Sequence, residues 1–431
     1  MNSVLIKNGR VIDPCSGLDQ VSDLLIEDSQ VSRIDHNISR PGAEVLDASG
    51  LVVAPGLIDL HVHLREPGRE DEETIESGSL AAASGGFTSV CCMPNTDPVN
   101  DNPSVTSYIV NEARRRAVTR VFPIGAISQG RKGEKLAEIG EMVEAGIVGI
   151  SDDGNGVMNG QLMRRAMEYS LPFGIPVIEH CEDSQLAAHG VMNEGYHSTL
   201  LGLKGINRVA EEAMAARDLL LAELTGAHLH IAHLSTRGCL ELVRTARARG
   251  IRVTSEVSPH HFSLTDAACC SFDTHTKMNP PLRTGVDIQA LIGGLADGTV
   301  DCIATDHAPH NSNEKMLEFD HAPFGIIGLE TGLGLALTLL YHSGKVSLGR
   351  LVELMSTTPA RLIKQPLGRL TPGFAGDVTV FSPDVEWVYD VNRSQSKSRN
   401  SPFHGMKLQG QAAAAVVKGR IVYRNPSLVK T

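Results

Sequence analysis

Leu57-Ile58-Asp59-Leu60-His61-Val62-His63-Leu64-Arg65-Glu66-Pro67-Gly68 is an apolar run that ends in two histidines two residues apart. It reads as a buried strand, and strand side chains repeat with period two. His61 and His63 therefore point to one side at the strand's end, where two imidazoles can grip one metal ion. Arg65 keeps the same parity and stands beside them as a fixed cation suited to an anionic substrate. Taken alone, His-x-His fits equally well two histidines bonded to neighbouring backbone, so the remainder of the chain has to decide.

Seven more short apolar runs follow: Ser89 to Met93, Val121 to Ala126, Val148 to Asp153, Val177 to His180, His228 to His233, Ile251 to Val257 and Val300 to Asp306. Between runs lie segments of helical spacing rich in good helix formers, such as Glu73 to Ala83, Val105 to Arg116, Lys135 to Ala145, Arg208 to Leu224 and Gly238 to Ala248. Strands alternating with helices call for parallel pairing, and eight such units close into a (β/α)8 barrel of roughly 250 residues. The expected fold is α/β, a distorted (β/α)8 TIM-type barrel over residues 55–365. The flanks, 1–54 and 366–431, show short alternating runs and no long helical pattern. Neither could bury a core alone, so together they are expected to form one small β-sandwich domain. Val4 to Ile12, Leu24 to Asp28 and Asp377 to Phe381 read as its strands, with Asn8-Gly9 as a hairpin signal.

Composition narrows the function classes. A formal net charge of −11 over 431 residues disfavours a nucleic-acid or membrane-surface partner, which needs a basic face. The sequence contains no run of about 18 apolar residues and its start lacks a signal-peptide pattern, so a soluble, cytoplasmic protein is expected. The eight cysteines form no C-x-x-C pair and read as reduced, packed thiols.

In such a barrel, chemistry sits where strands hand over to the following loops. The strand ends supply His61, His63, His180, His233, Asp306 and an aspartate of the Asp152-Asp153 pair, which parity cannot separate because the chain is already turning there. These nitrogen and oxygen donors suit zinc. Six ligands exceed one tetrahedral ion. Two Zn2+ ions fit better, with His61, His63 and Asp306 on one, His180 and His233 on the other, and the aspartate and a hydroxide bridging them. Such pairs stand about 3.5–4 Å apart and bring the pKa of bound water to about 7, which gives a hydrolase its nucleophile.

His61-Val62-His63-Leu64-Arg65-Glu66-Pro67-Gly68, Gly85-Gly86-Phe87-Thr88-Ser89-Val90 leading to Met93-Pro94-Asn95-Thr96, Lys277-Met278-Asn279-Pro280-Pro281-Leu282-Arg283 and Ala304-Thr305-Asp306-His307-Ala308-Pro309-His310 stand in this order. In these motifs the chain resembles the class I bacterial dihydroorotases of the amidohydrolase superfamily, over essentially its whole length. The resemblance implies the reversible cyclisation of N-carbamoyl-L-aspartate to dihydroorotate in pyrimidine biosynthesis. It implies that Arg65, Asn95 and His310 hold the substrate carboxylate, with His63 also facing the substrate. Asn279 would meet the ring amide, Phe324 and Gly325 would offer backbone groups, and Asp306 would be ligand and proton carrier together. Many relatives bridge their metals with a carboxylated lysine after the fourth strand; Gly149 to Gly154 has none, and the resemblance favours Asp153 as the bridge. It also implies a homo-oligomer and raises association with aspartate transcarbamoylase. The competing readings are a hydantoinase, dihydropyrimidinase or allantoinase, and an inactive scaffold subunit of a pyrimidine-pathway complex.

Other signals take plainer roles. His228 and His230 fall on the parity opposite to His233 and read as structural. His260, His261, His275, His307 and His321 read as loop or supporting groups, His307 being able to orient a ligand. Asp59 reads as packing or support, Gly85-Gly86 as a tight helix end, Ser394 to Ser401 as a polar loop, and 311–325 as a lid over the site.

Overall fold

The computed structural model describes residues 3–429; residues 1–2 and 430–431 of the two expected flanks lie outside the described part. The chain opens with β1 (Ser3–Asp13), β2 (Leu18–Glu27), β3 (Gln30–Asp35), β4 (Glu44–Asp47) and β5 (Val52–Pro55). The α/β portion contributes β6 (Leu57–Val62), β7 (Phe87–Cys92), β8 (Arg120–Pro123), β9 (Val177–Glu179), β10 (Met192–Asn193), β11 (Gly205–Ile206), β12 (Leu229–Ile231), β13 (Val253–Val257) and β14 (Cys302–Ile303). The chain ends with β15 (Val378–Val388), β16 (Lys407–Val417) and β17 (Arg420–Arg424).

Parallel strands covered on both faces are apolar almost throughout, and all six residues of β6 and of β7 are buried. β6, β7 and β8 pair in parallel, as do β9, β12, β13 and β14. The fourth apolar run forms no continuous strand. It takes part through Ile150, which bridges in parallel to Gly125 on one side and Val177 on the other, while Val62 bridges to His307. Helices start where their caps allow. Thr74 accepts from the Ser77 amide to open Ile75–Ser84, and Asn102 with Pro103 at the first turn opens Pro103–Arg116. The helix expected from Lys135 begins only at Ile139. Leu136 is drawn into a bridge with Ser128, and the Ala137 amide donates to the Ile127 carbonyl.

Both chain ends meet in one eight-stranded sheet, ordered β17-β16-β15-β5-β1-β2-β3 with β4 against β1. Its interior is a separate apolar cluster that includes Ile6, Leu24, Val53, Val380 and Ala414. Asn8-Gly9 is not a hairpin turn. It is a bulge inside β1, where the register against β2 shifts between Ile6 and Gly9. Asn8 takes φ 61° and its amide donates to Asp23 Oδ1, so the αL-tolerant residue serves a bulge and the reversal falls after Asp13. Arg120 ties this sheet to the parallel part by two bonds to Asp377, whose Oδ1 also accepts from the Lys418 amide. Among the described residues no helix is long and apolar enough to cross a membrane. All eight cysteines are free, six of them buried.

Gly85 caps Ile75–Ser84 with ordinary α backbone, yet a Cβ there would lie 2.0 Å from the Leu329 carbonyl oxygen. Gly85→Ala is therefore expected to lower stability by roughly 1–3 kcal/mol through overpacking. A drop of several degrees in the thermal midpoint at a fixed scan rate checks this; an unchanged midpoint contradicts it.

Candidate metal centre

The ends of the parallel strands converge on one carboxylate. Asp153 Oδ1 lies 3.2 Å from His61 Nε2, 3.6 Å from His233 Nε2 and 3.9 Å from His180 Nδ1, and its Oδ2 lies 3.6 Å from His63 Nε2. Asp306 Oδ1 closes the other side, 3.1 Å from His63 Nε2 and 3.5 Å from His61 Nε2. All six residues are buried. Their donor atoms fall into three overlapping groups, His61–His63–Asp153, Asp153–His180–His233 and His61–His233–Asp306, with ligand atoms within 4.8 Å of one another in each. The structure thus brings together the whole set read from the strand ends, with Asp153 in the middle.

Local backbone explains how the side chains arrive. Arg65, His233 and Asp306 have φ of 60°, 32° and 50°, a region costly to non-glycine residues that concentrates at functional sites. The buried Asp59 carboxyl accepts from the amides of His61 and Thr305, each at 3.1 Å, and so fixes two ligand-bearing segments to each other. Burial pushes its pKa up to about 7. Asp152 points away from the centre and accepts from the Ile127 and Ser128 amides at 2.9 and 3.0 Å and from the Ser128 hydroxyl.

The electrostatics call for positive charge. Burial works against charge on His61, yet Asp153 and Asp306 hold its imidazole well above the ordinary histidine range. Conversely, burial and the neighbouring His233 push His180 down to about 3. Despite burial, His61 and the other imidazoles hold Asp153 well below the usual carboxylate range. His61 Nε2 and His233 Nδ1 are buried without a hydrogen-bond partner. Two carboxylates among four imidazoles, with an orphaned ring nitrogen facing them, fit a divalent metal centre.

Beside this centre lies a second polar group. Arg65 donates from Nε to the Pro309 carbonyl at 3.0 Å, sits 3.2 Å from Glu72 Oε2, and places Nη2 3.3 Å from His310 Nε2. His310 Nε2 is 2.8 Å from the Phe324 carbonyl, and its Nδ1 is 2.9 Å from Glu72 Oε1. The Gly325 amide donates to the Lys277 carbonyl at 2.9 Å. Asn95 Oδ1 lies 2.8 Å from His63 Nδ1, so it supports a centre histidine. Asn279 Nδ2 lies 3.5 Å from His180 Nε2, while its Oδ1 is buried and unpartnered. The His307 ring meets Glu73 at 3.3 Å and the Gly328 amide at 3.2 Å rather than a centre residue, while its carbonyl accepts from the His63 amide at 2.8 Å.

Two contributors went unnoticed in the sequence. Glu256 lies at 2.8 Å from His61 Nδ1, in a run read simply as a strand. Asn400 accepts from the His310 amide at 3.1 Å and donates to the Ala308 and Gly325 carbonyls at 2.8 and 3.0 Å. Its segment, read as a polar loop, is a largely buried strap; Ser396 and Ser398 bond Glu73 and the Glu72 carbonyl. A signal for the strap existed in the alternation of Ser394, Ser396, Ser398 and Asn400, all buried.

Over this group runs 311–325, with one helical turn at Ser312–Lys315. Buried Lys315 donates to the carbonyls of Thr274 and Pro323 at 3.0 and 2.8 Å, and burial lowers its pKa to about 7. Lys315→Met should free the segment, with faster protease cleavage inside 311–325 than in the parent; equal cleavage rates would show that the two bonds do not hold it. A second outcome concerns the adjacent aspartates. Asp152→Ala strands buried amides at about 1–3 kcal/mol each and should lower the midpoint of metal-stripped protein yet still bind divalent metal, whereas Asp153→Ala should lose bound divalent metal on elemental analysis. The reverse pattern would exchange their roles.

The Dihydro-orotase-like family profile matches residues 50–239. The "Dihydroorotase" of Solibacter usitatus is 55% identical over 424 residues, covering 98% of this chain and 99% of that protein. The "Dihydroorotase" of Geobacter metallireducens is 53% identical over 98% of this chain and 100% of its own length. Among solved structures, the L-hydantoinase (dihydropyrimidinase) of Arthrobacter aurescens superposes with a TM-score of 0.87 at 26% identity, covering 98% of this chain and 96% of that one. With identity above half along nearly its entire length, the chain belongs to the dihydroorotase family.

Proposed function

We propose that this chain is a zinc-dependent cyclic amide hydrolase that interconverts dihydroorotate and N-carbamoyl-L-aspartate. The reading includes a distorted (β/α)8 barrel over 55–365 with a small β domain from 1–54 and 366–431. The Val62–His307 bridge, which brings the last parallel segment to the first, supports closure of that barrel. Eight free thiols suit a reducing, cytoplasmic setting.

The observation that carries the reading is the juxtaposition of the Asp153–Asp306–histidine centre with the buried Arg65–His310 group. His61, His63, Asp153 and Asp306 would hold one zinc ion and His180 and His233 a second, shared through Asp153. Metal held there would polarise the ring carbonyl and make water acidic enough to attack at neutral pH. Arg65 and His310 hold the substrate carboxylate, and Asn95 adds its amide while keeping His63 in place. A carboxylate on the ring is what an uncharged hydantoin lacks. Asn279 Oδ1, buried and unpartnered, accepts the ring N–H. The Phe324 and Gly325 carbonyls already take bonds from His310 and Asn400, so substrate meets their second lone pairs. Asp306 takes the proton of the attacking water on its carboxylate and passes it to the leaving ring nitrogen; in synthesis it runs the same transfer backwards. The strap and the lid exclude bulk water meanwhile.

Asp306→Ala should lower kcat by about 10²–10⁴-fold, the usual worth of a general acid–base group, and Arg65→Ala should chiefly raise KM for dihydroorotate. Both are read by following ring opening in the ultraviolet. Hydrolysis of dihydrouracil or hydantoin without dihydroorotate would replace the substrate assignment, and near-parental rates in Asp306→Ala would remove the proton-carrier role.

A further inference from the structure

We infer that Glu256, His230 and Thr254 form a positioning relay through the parallel core that fixes the tautomer of His61 and so presents His61 Nε2 to the metal. The inference deepens the proposed function and rests on its metal centre. The contacts form one chain. Glu256 Oε1 lies 2.8 Å from His61 Nδ1, and Oε2 lies 3.1 Å from His230 Nε2. His230 Nδ1 lies 2.8 Å from Thr254 Oγ1, which is also 2.9 Å from His228 Nε2. His61 and His230 are 0% exposed and Glu256 is 1% exposed.

Hydrogen-bond chemistry gives this chain one direction. A carboxylate accepts and cannot donate, so both imidazoles must aim an N–H at Glu256. His61 then carries a proton on Nδ1, which leaves Nε2, between Asp153 and Asp306, as the nitrogen that a metal would take. His230 aims its Nε2–H at Glu256, and its Nδ1 meets the Thr254 hydroxyl, which can donate to it. The hydroxyl in turn accepts from His228. Every contact of the chain thus has a donor and an acceptor, and His61 Nε2, which no link of the chain uses, is the orphan of the centre. A backbone bond adds a second tie: the His233 amide donates to Glu256 Oε1 at 3.4 Å. Thr254 and Glu256 share strand parity on β13, which is why two residues of one strand serve the relay.

An amide at 256 has one acceptor and one donor end, so it cannot receive both N–H groups. In Glu256→Gln, zinc affinity measured by chelator competition on the purified full chain should fall about 10–100-fold, the usual cost of losing such an outer partner. Long-range ¹H–¹⁵N correlation of the zinc-loaded parent should show His61 protonated on Nδ1, and that pattern should be lost in the variant. Thr254→Val should weaken zinc in the same direction by less, and Glu256→Gln/Thr254→Val should match Glu256→Gln within twofold, because one chain has been cut twice. Zinc affinity within twofold of the parent in Glu256→Gln, or a His61 without a proton on Nδ1 in the zinc-loaded parent, overturns the relay. Should Glu256→Gln fail to fold, Thr254→Val decides: unchanged zinc affinity overturns it. If the parent binds zinc and the variants weaken it while dihydroorotate is not turned over, the substrate assignment falls and the relay stands.

Discussion

The constraint on which the rest depends is the burial of Asp153. An isolated carboxylate in such surroundings is expensive unless paired and hydrogen-bonded. Here four ring nitrogens within 3.2–3.9 Å surround it, and Asp306 brings a second negative charge to the same place. The cluster is suited to holding metal. Much of the neighbouring structure follows from holding it open: backbone forced to positive φ at His233 and Asp306, Asp59 tying two strand ends, and Asp152 spent on loop amides so that its neighbour can face inward.

What the sequence disclosed and what it hid divide along physical lines. Strand ends were legible because a period of two assigns each side chain a face: His61 with His63, and His233 apart from His228 and His230. The choice between Asp152 and Asp153 was hidden because it depends on which carboxyl meets the amides of Ile127 and Ser128, a contact over some 25 residues. The fourth run illustrates a further limit. Its ladder reduces to bridges at Ile150, since the chain turns into the aspartates at once. Asn8-Gly9 carried true αL chemistry, but such chemistry serves a bulge as readily as a turn.

Outer supports were the least visible. Glu256 lies within an apolar run, and nothing in the run distinguishes a carboxylate paired with His61 from one exposed at a strand end; the pairing spans 195 residues of sequence. The strap around Asn400 was read as a loop because its alternating residues are polar rather than apolar, yet they are buried against Glu72 and Glu73. Its consequence is architectural. The segment linking β15 to β16 holds His310 and Gly325 in place, so the sheet built from both chain ends also braces the pocket beside the metal centre.

Charge bears on the proposed preference of that pocket for an anionic ring. Glu72 is fully buried and faces two guanidiniums, Arg65 at 3.2 Å and Arg69 at 2.5 Å. Glu314 offsets Arg69 at 3.0 Å, and both stand about a third or more exposed, where solvent screens the pair. Burial and the Arg65 charge push the His310 pKa down to about 2. The buried balance is therefore Glu72 against Arg65, whose guanidinium keeps further N–H donors for an anion in a dry pocket, where such contacts act strongly. Under the proposed reading an uncharged ring would gain little from those donors, whereas a ring carboxylate would take them up and be set down at a fixed position relative to Asp306.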